Sequence, residues 1–120
     1  MIRGIRGATT VDQNEANMIV EATSELLYEM IQKNNIHADD VAHVIITVTE
    51  DLNATFPAKA LREIEGWTYV PVMCMQEIPV PGSLEKCIRI MMTVQSDIEQ
   101  NQIQHVYARN SVVLRPDLIK

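Results

Sequence analysis

Apolar residues return at helical spacing from residue 16 to residue 31. Ala16, Ile19, Val20, Thr23, Leu26, Leu27, Met30 and Ile31 fall on one side, with Glu21, Glu25, Glu29 and Gln32 opposite. This period predicts an amphipathic helix of about five turns. A capping box at Asp12 and Glu15 would open it, and Asn34-Asn35 would stop it. Ahead of it, Met1 to Val11 alternates loosely and reads as a first strand. Val41 to Thr49, VAHVIITVT, is rich in β-branched residues and nearly continuous in apolar character, as an internal strand would be. Thr55 as cap and Pro57 in the first turn predict a short helix ending at Gly66. Tyr69 to Met75 predicts a short strand, Pro79 to Gly82 a rigid turn, and Lys86 to Val94 a second strongly apolar strand. Ser96 to Gln104 is polar, loop-like or briefly helical. His105 to Leu114 alternates again and predicts a last strand before Arg115-Pro116, leaving 117–120 as a tail.

The sum is one mixed α/β domain over residues 1–120: a mixed sheet packed by one long helix. A single long helix cannot cover both faces of such a sheet. The uncovered face calls for a homo-oligomer, unless it is polar enough to suit a monomer. The length, 120 residues, allows one core and not two.

Charge narrows the partners. The net charge is −6 and no Lys/Arg run interrupts it, which argues against nucleic acid and against a basic membrane patch. No apolar run has the length of a membrane span, and the N-terminus lacks the apolar stretch of a secretory signal. Cys74 and Cys87 are then expected as free thiols in a reducing cytoplasm.

The chemistry-bearing residues are chiefly arginines. Arg89 sits inside CIRIMMTV, where burial of a guanidinium is costly unless an anion meets it. That anion is a ligand or a core carboxylate; otherwise the side chain snorkels outward from an edge strand. Arg6 shares a strand face with Gly4 and Ala8, which leaves room for a ligand or for close backbone packing. Arg115, after VVL, suits the rim of a site or a solvated strand end. Glu77, just past an apolar strand, could accept a hydrogen bond from a ligand hydroxyl or neutralise Arg89. Tyr107 could donate to a carboxylate or simply fill the core. Lys59 and Arg62 share a helix face. The three histidines show no metal-ligand spacing, there is no CxxC, and GIRGATT lacks the spacing and lysine of a phosphate loop. Such a set binds and polarises a small polyanion; it is not a set for covalent or metal chemistry.

Four segments carry a resemblance: MIRGIRGATTV, FPAKALREIEGW, YVPVMCMQEIPVPGSLEKCIRIMMTV and HVYARNSVVLRPDL. In this order and spacing they resemble the AroH class of monofunctional chorismate mutases over essentially the whole chain. The resemblance implies a barrel-like homotrimer with active sites at subunit interfaces. It implies rearrangement of chorismate to prephenate, in phenylalanine and tyrosine biosynthesis, without metal or cofactor. Arg89 is similar to the arginine at the ether oxygen of the breaking bond. Arg6 is similar to an arginine that holds substrate, Glu77 to the carboxylate on the ring hydroxyl with Cys74 beside it, and Tyr107 to a tyrosine on a carboxylate. Phe56, Ala58 and Leu114 resemble apolar lining, and Lys59, Arg62 and Arg115 a positive rim. Met73 stands where the family pattern has a threonine, and the tail after Asp117 is short. Two other functions suit the residues. A trimeric hydrolase or deaminase of imine or enamine substrates would show a pH-dependent rate. A non-catalytic dicarboxylate-binding trimer would leave chorismate turnover uncatalysed.

Overall fold

The fold, a computed structural model describing residues 1–115, is a five-stranded sheet with one face covered by helix. In chain order the elements are β1 (Ile2–Thr10), α1 (Ala16–Asn34), β2 (Val41–Val48), α2 (Lys59–Arg62), β3 (Val72–Gln76), β4 (Cys87–Gln95) and β5 (Val106–Tyr107). Short 3₁₀ turns lie at Ala38–Asp40, Gln100–Gln102 and Arg109–Leu114. The strands run in the order β3-β2-β4-β1-β5. The central strand β4 is antiparallel to β1 and β2, while β3 and β5 add in parallel to β2 and β1.

The periodicity of α1 is realised as a packed stripe. Ile19, Ala22, Thr23, Leu26, Leu27 and Met30 are buried. They meet Ile5, Val44, Ile46, Ile88, Ile90, Met92 and Val94 from the sheet. Each fully buried Leu, Ile or Met side chain contributes roughly 1.5–3 kcal/mol relative to exposure. Helix and sheet pack closely at Gly7: a Cβ there would run into Met30 Sδ and lie 3.1 Å from Leu26 Cδ1.

The C-terminus of α1 is fixed twice. Asn35 takes the left-handed conformation (φ 49°), and Ile36 N–H bonds back to the Ile31 carbonyl at 3.0 Å. The buried Asn34 side chain donates to the carbonyls of Met30 (2.9 Å) and Gln104 (2.8 Å) and accepts from Gln104 N–H (2.8 Å). The segment leading into β5 is thereby tied to the helix.

Three expectations are corrected. Asp12 and Glu15 form no capping box: Glu15 is the N-cap and makes no side-chain cap bond. The adjoining Asn14 side chain is instead bonded to the loop at Asn53-Ala54, accepting from both backbone amides at 3.0 Å. Helix α2 spans only Lys59–Arg62 and starts from Ala58 rather than from a Thr55 cap. The last strand is two residues long, because Arg109 adopts φ 54° and turns the chain into the 3₁₀ segment. Pro116 and the short tail lie outside the described residues.

Candidate active site

Alternation along β4 decides where its arginine goes. Ile88, Ile90, Met92 and Val94 turn toward α1 and are buried, so Arg89 and Met91 emerge on the face that α1 leaves bare. The expected closed-off guanidinium is therefore not found: the Arg89 side chain is 51% exposed. Strand register aligns Met73, Ile45, Met91 and Arg6 in one row across the bare face. It aligns Met75, Thr47, Arg89, Ala8 and Tyr107 in the next.

Glu77 enters this face from the end of β3, where its N–H bonds to the Val48 carbonyl at 2.9 Å. Its Oε2 accepts from Arg89 Nε at 3.0 Å and from the Thr47 hydroxyl. The two uses weighed for Glu77 thus divide: within one chain it does neutralise Arg89. On the other side, Tyr107 arrives through the pairing of β5 with β1, closed by Ala108 N–H to the Ala8 carbonyl at 2.9 Å. The next turn is anchored by Arg109, which donates to the Thr10 carbonyl (2.9 Å) and pairs with Glu25 (3.0 Å). Buried Ser111 bonds to the Ala8 carbonyl at 2.9 Å. These anchors bring Leu114 and Arg115 over the same cleft.

Arg6, Thr47, Glu77, Arg89, Tyr107, Leu114 and Arg115 thus line one open cleft of about 210 Å³, floored by Ile45 and Met91. It holds three guanidinium groups and one carboxylate in a chain whose net charge is −6. Such a cleft attracts a small anion with several acceptors.

The other expected residues lie elsewhere. Phe56, Lys59 and Cys74 line a second cleft with Thr55 and Gln76. The Asn14 side chain holds the loop that leads into it. Ala58 is buried at the foot of α2, while Arg62 and the 63% exposed Met73 line neither cleft. Of the residues expected to act together, those that line a cleft are divided between two concavities of one chain.

Neither thiol joins a catalytic constellation. Both cysteines are free, and burial pushes the Cys87 thiol up to about 11, so it stays protonated at neutral pH. Among the described residues no three His, Cys, Asp or Glu side chains gather as a metal site would need, and no helix is long and apolar enough to cross a membrane.

The family described as chorismate mutase type I matches residues 2–118. The chain belongs to the type I chorismate mutases. It is 56% identical over 118 residues to the chorismate mutase AroH of Bacillus subtilis, a match covering 98% of this chain and 93% of that one. It is 48% identical over 119 residues to the chorismate mutase AroH of Thermus thermophilus, covering 98% and 97%. Among solved structures, a chorismate mutase from Clostridium thermocellum superposes with a TM-score of 0.89 at 54% identity, covering 92% of this chain and 97% of that one. Membership makes the chain an isomerase, and neither the deaminase nor the non-catalytic alternative has support.

For a chorismate mutase the ungathered positions are informative, and so are two groups that sequence reasoning passed over. Thr47 holds Glu77, and Ile45 and Met91 form the floor. The alternation in VAHVIITV puts Ile45 and Thr47 on one face, a visible signal. That this face adjoins Arg89 depends on the β2–β4 register, which no local pattern states.

Proposed function

We propose that the chain rearranges chorismate to prephenate at a site shared between subunits of a homotrimer, serving phenylalanine and tyrosine biosynthesis in the cytoplasm. The observation that carries this reading is the convergence of Arg6, Arg89 and Arg115 with Glu77 and Tyr107 in one cleft. Chorismate offers two carboxylates, a hydroxyl and an enol ether. The rearrangement is pericyclic and needs neither nucleophile nor proton transfer. Arg6 and Tyr107 are assigned to carboxylates. Glu77 is assigned to the ring hydroxyl, steadied by Thr47. The Glu77 ion pair uses Nε of Arg89, and its terminal amines are assigned to the ether oxygen, where negative charge grows as the carbon–oxygen bond breaks. Holding the compact conformer and meeting that charge with a fixed cation lowers the barrier.

A shared site is supported by three features. The arginine cleft, at about 210 Å³, is smaller than the roughly 300–1,000 Å³ of complete ligand pockets. Phe56, Lys59 and Cys74 form a second, separate concavity, as a complementary half would. The bare sheet face exposes Met73, Met75 and Met91, and Phe56, 71% exposed, lines the second cleft. Apolar surface of this kind belongs in an interface. Within the trimer, Phe56 and Leu114 are assigned to the apolar lining and Lys59 and Arg62 to the positive rim, while Ala58, buried in its own chain, supports Lys59 from below the surface. The test is prephenate formation by purified, EDTA-treated protein supplied with chorismate, with sedimentation equilibrium for the mass. Turnover far above the uncatalysed rate and a mass three times 13.6 kDa are expected. An uncatalysed rate, or full activity in a stable monomer, would overturn the reading.

A further inference from the structure

Outside the arginine cleft, one contact joins an unassigned titratable side chain to the backbone of a residue in it. The Arg6 N–H donates to His105 Nδ1 at 3.0 Å. Parallel pairing between β1 and β5 covers Gly7↔Val106 and Ala8↔Tyr107 and then stops. Continued by one step, a parallel ladder would offer the Arg6 amide the carbonyl of Gln104. That carbonyl is engaged by Asn34 Nδ2. The imidazole of His105 stands in for it, so the β1 backbone at Arg6 is held by a side chain where the sheet gives out.

We propose that His105 is a positioning residue for Arg6, its neutral imidazole fixing the Arg6 main chain, and so the reach of the guanidinium into the cleft, by accepting that amide's hydrogen at Nδ1. The proposal rests on the reading of Arg6 as a residue that holds a substrate carboxylate. The acceptor role requires Nδ1 to carry no proton, which places the ring proton of the neutral form on Nε2. Protonation would set an N–H against an N–H. It would also add a cation facing Arg6 from β1 and Arg115 from beyond the C-terminal 3₁₀ turn, the charged groups that act on this ring. Desolvation by burial, then Arg6 and Arg115, holds the His105 pKa below its ordinary 6.5. The acceptor form therefore prevails at neutral pH and is lost only on the acid side.

The consequence is an acid limb in substrate affinity rather than in the chemical step. Loss of one such hydrogen bond corresponds to roughly a three- to tenfold rise in KM, with kcat changed less. The test measures KM and kcat from pH 8 to pH 5 for the parent, His105→Asn and His105→Phe, alongside ¹⁵N NMR of the ligand-free protein. Asparagine can set its Oδ1 near the Nδ1 position and does not titrate. The parent KM should rise on the acid side, His105→Asn should stay flat near the parent's neutral value, and His105→Phe should be raised at every pH. The Arg6 amide resonance should titrate with the His105 ring, and Nδ1 should show the shift of an unprotonated nitrogen. An acid limb that persists unchanged in His105→Asn would assign it to another group and overturn the proposal. So would an Arg6 amide indifferent to the His105 titration, a result that does not depend on either variant folding. Arg6→Ala separates the two levels. An unchanged KM in that variant defeats the reading of Arg6 itself, whereas lost affinity there with an unchanged limb in His105→Asn defeats the positioning role alone.

Discussion

Replacing Arg89 by citrulline removes one positive charge while keeping nearly the same shape and the Nε donor. Arg89 is half exposed and its partner Glu77 is 23% exposed, so their ion pair is partly solvated. Its loss should cost the fold no more than about 1 kcal/mol. The chemical step should respond very differently. A donor aimed at charge that develops in the transition state is worth roughly 3–4 kcal/mol, or about 10²–10³ in rate, when removed. The predicted variant is folded, binds chorismate within a few-fold of the parent, and loses about 10²–10³ in the first-order rate of conversion. Arg89→Lys keeps the charge but not the fork and should recover only part of that loss. The assay is single-turnover rapid quench at saturating chorismate, with urea unfolding run in parallel. A citrulline variant within about threefold of the parent rate would refute electrostatic stabilisation by Arg89. A citrulline variant that unfolded would refute the view that its ion pair is structurally minor.

Other predictions follow from the surrounding structure. Asn34→Ala leaves the Gln104 amide and carbonyl without the partner that α1 now provides; about 2–3 kcal/mol of stability should be lost, read as a lower urea midpoint, and an unchanged midpoint would contradict that anchoring role. The His105 pKa is depressed in the folded chain, so the unfolded chain binds the extra proton more readily. Stability from this group is full above pH 6.5 and falls as pH drops through the folded value; His105→Asn should remove that part of the acid loss, and an unaltered pH dependence of the midpoint would argue against it. Finally, kcat should be nearly flat from pH 7 to pH 9 and insensitive to EDTA, since a pericyclic step held by arginines has no acid, base or metal to titrate; a bell-shaped kcat with a solvent isotope effect on chemistry would contradict this.

Elements with a strong period were legible in the sequence. The stripe from Ile19 to Met30 is α1, and CIRIMMTV is the centre of the sheet. Local signals misled where a long-range bond competed. Asp12 and Glu15 have the capping pattern, yet the chain there is committed to Asn53 and Ala54 through Asn14. The alternation from His105 to Leu114 suggests a strand, yet Ser111 turns inward to the Ala8 carbonyl and Arg109 breaks the extension. Arg89 shows the same limit in the site. Its apolar neighbours imply burial, but alternation places it on the face that α1 leaves bare. Residue types named the cleft's charges; only register shows which of them meet, and the role inferred for His105 depends on a hydrogen bond to a backbone 99 residues away.

The division of the expected residues between two clefts gives the account its sharpest test, subunit mixing. Arg89→Ala removes the cation of the first cleft, and Lys59→Glu reverses the charge at the second. Each variant alone should be inactive. If sites are shared between neighbouring subunits of a trimer, refolding the two together in equal amounts gives mixed trimers, each with one site that draws both intact halves from different chains. Random assembly then makes about one quarter of all sites whole, and activity should recover to about one quarter of the parent level. Mixed trimers that form, as shown by mass, but stay as inactive as their parents would contradict the shared site.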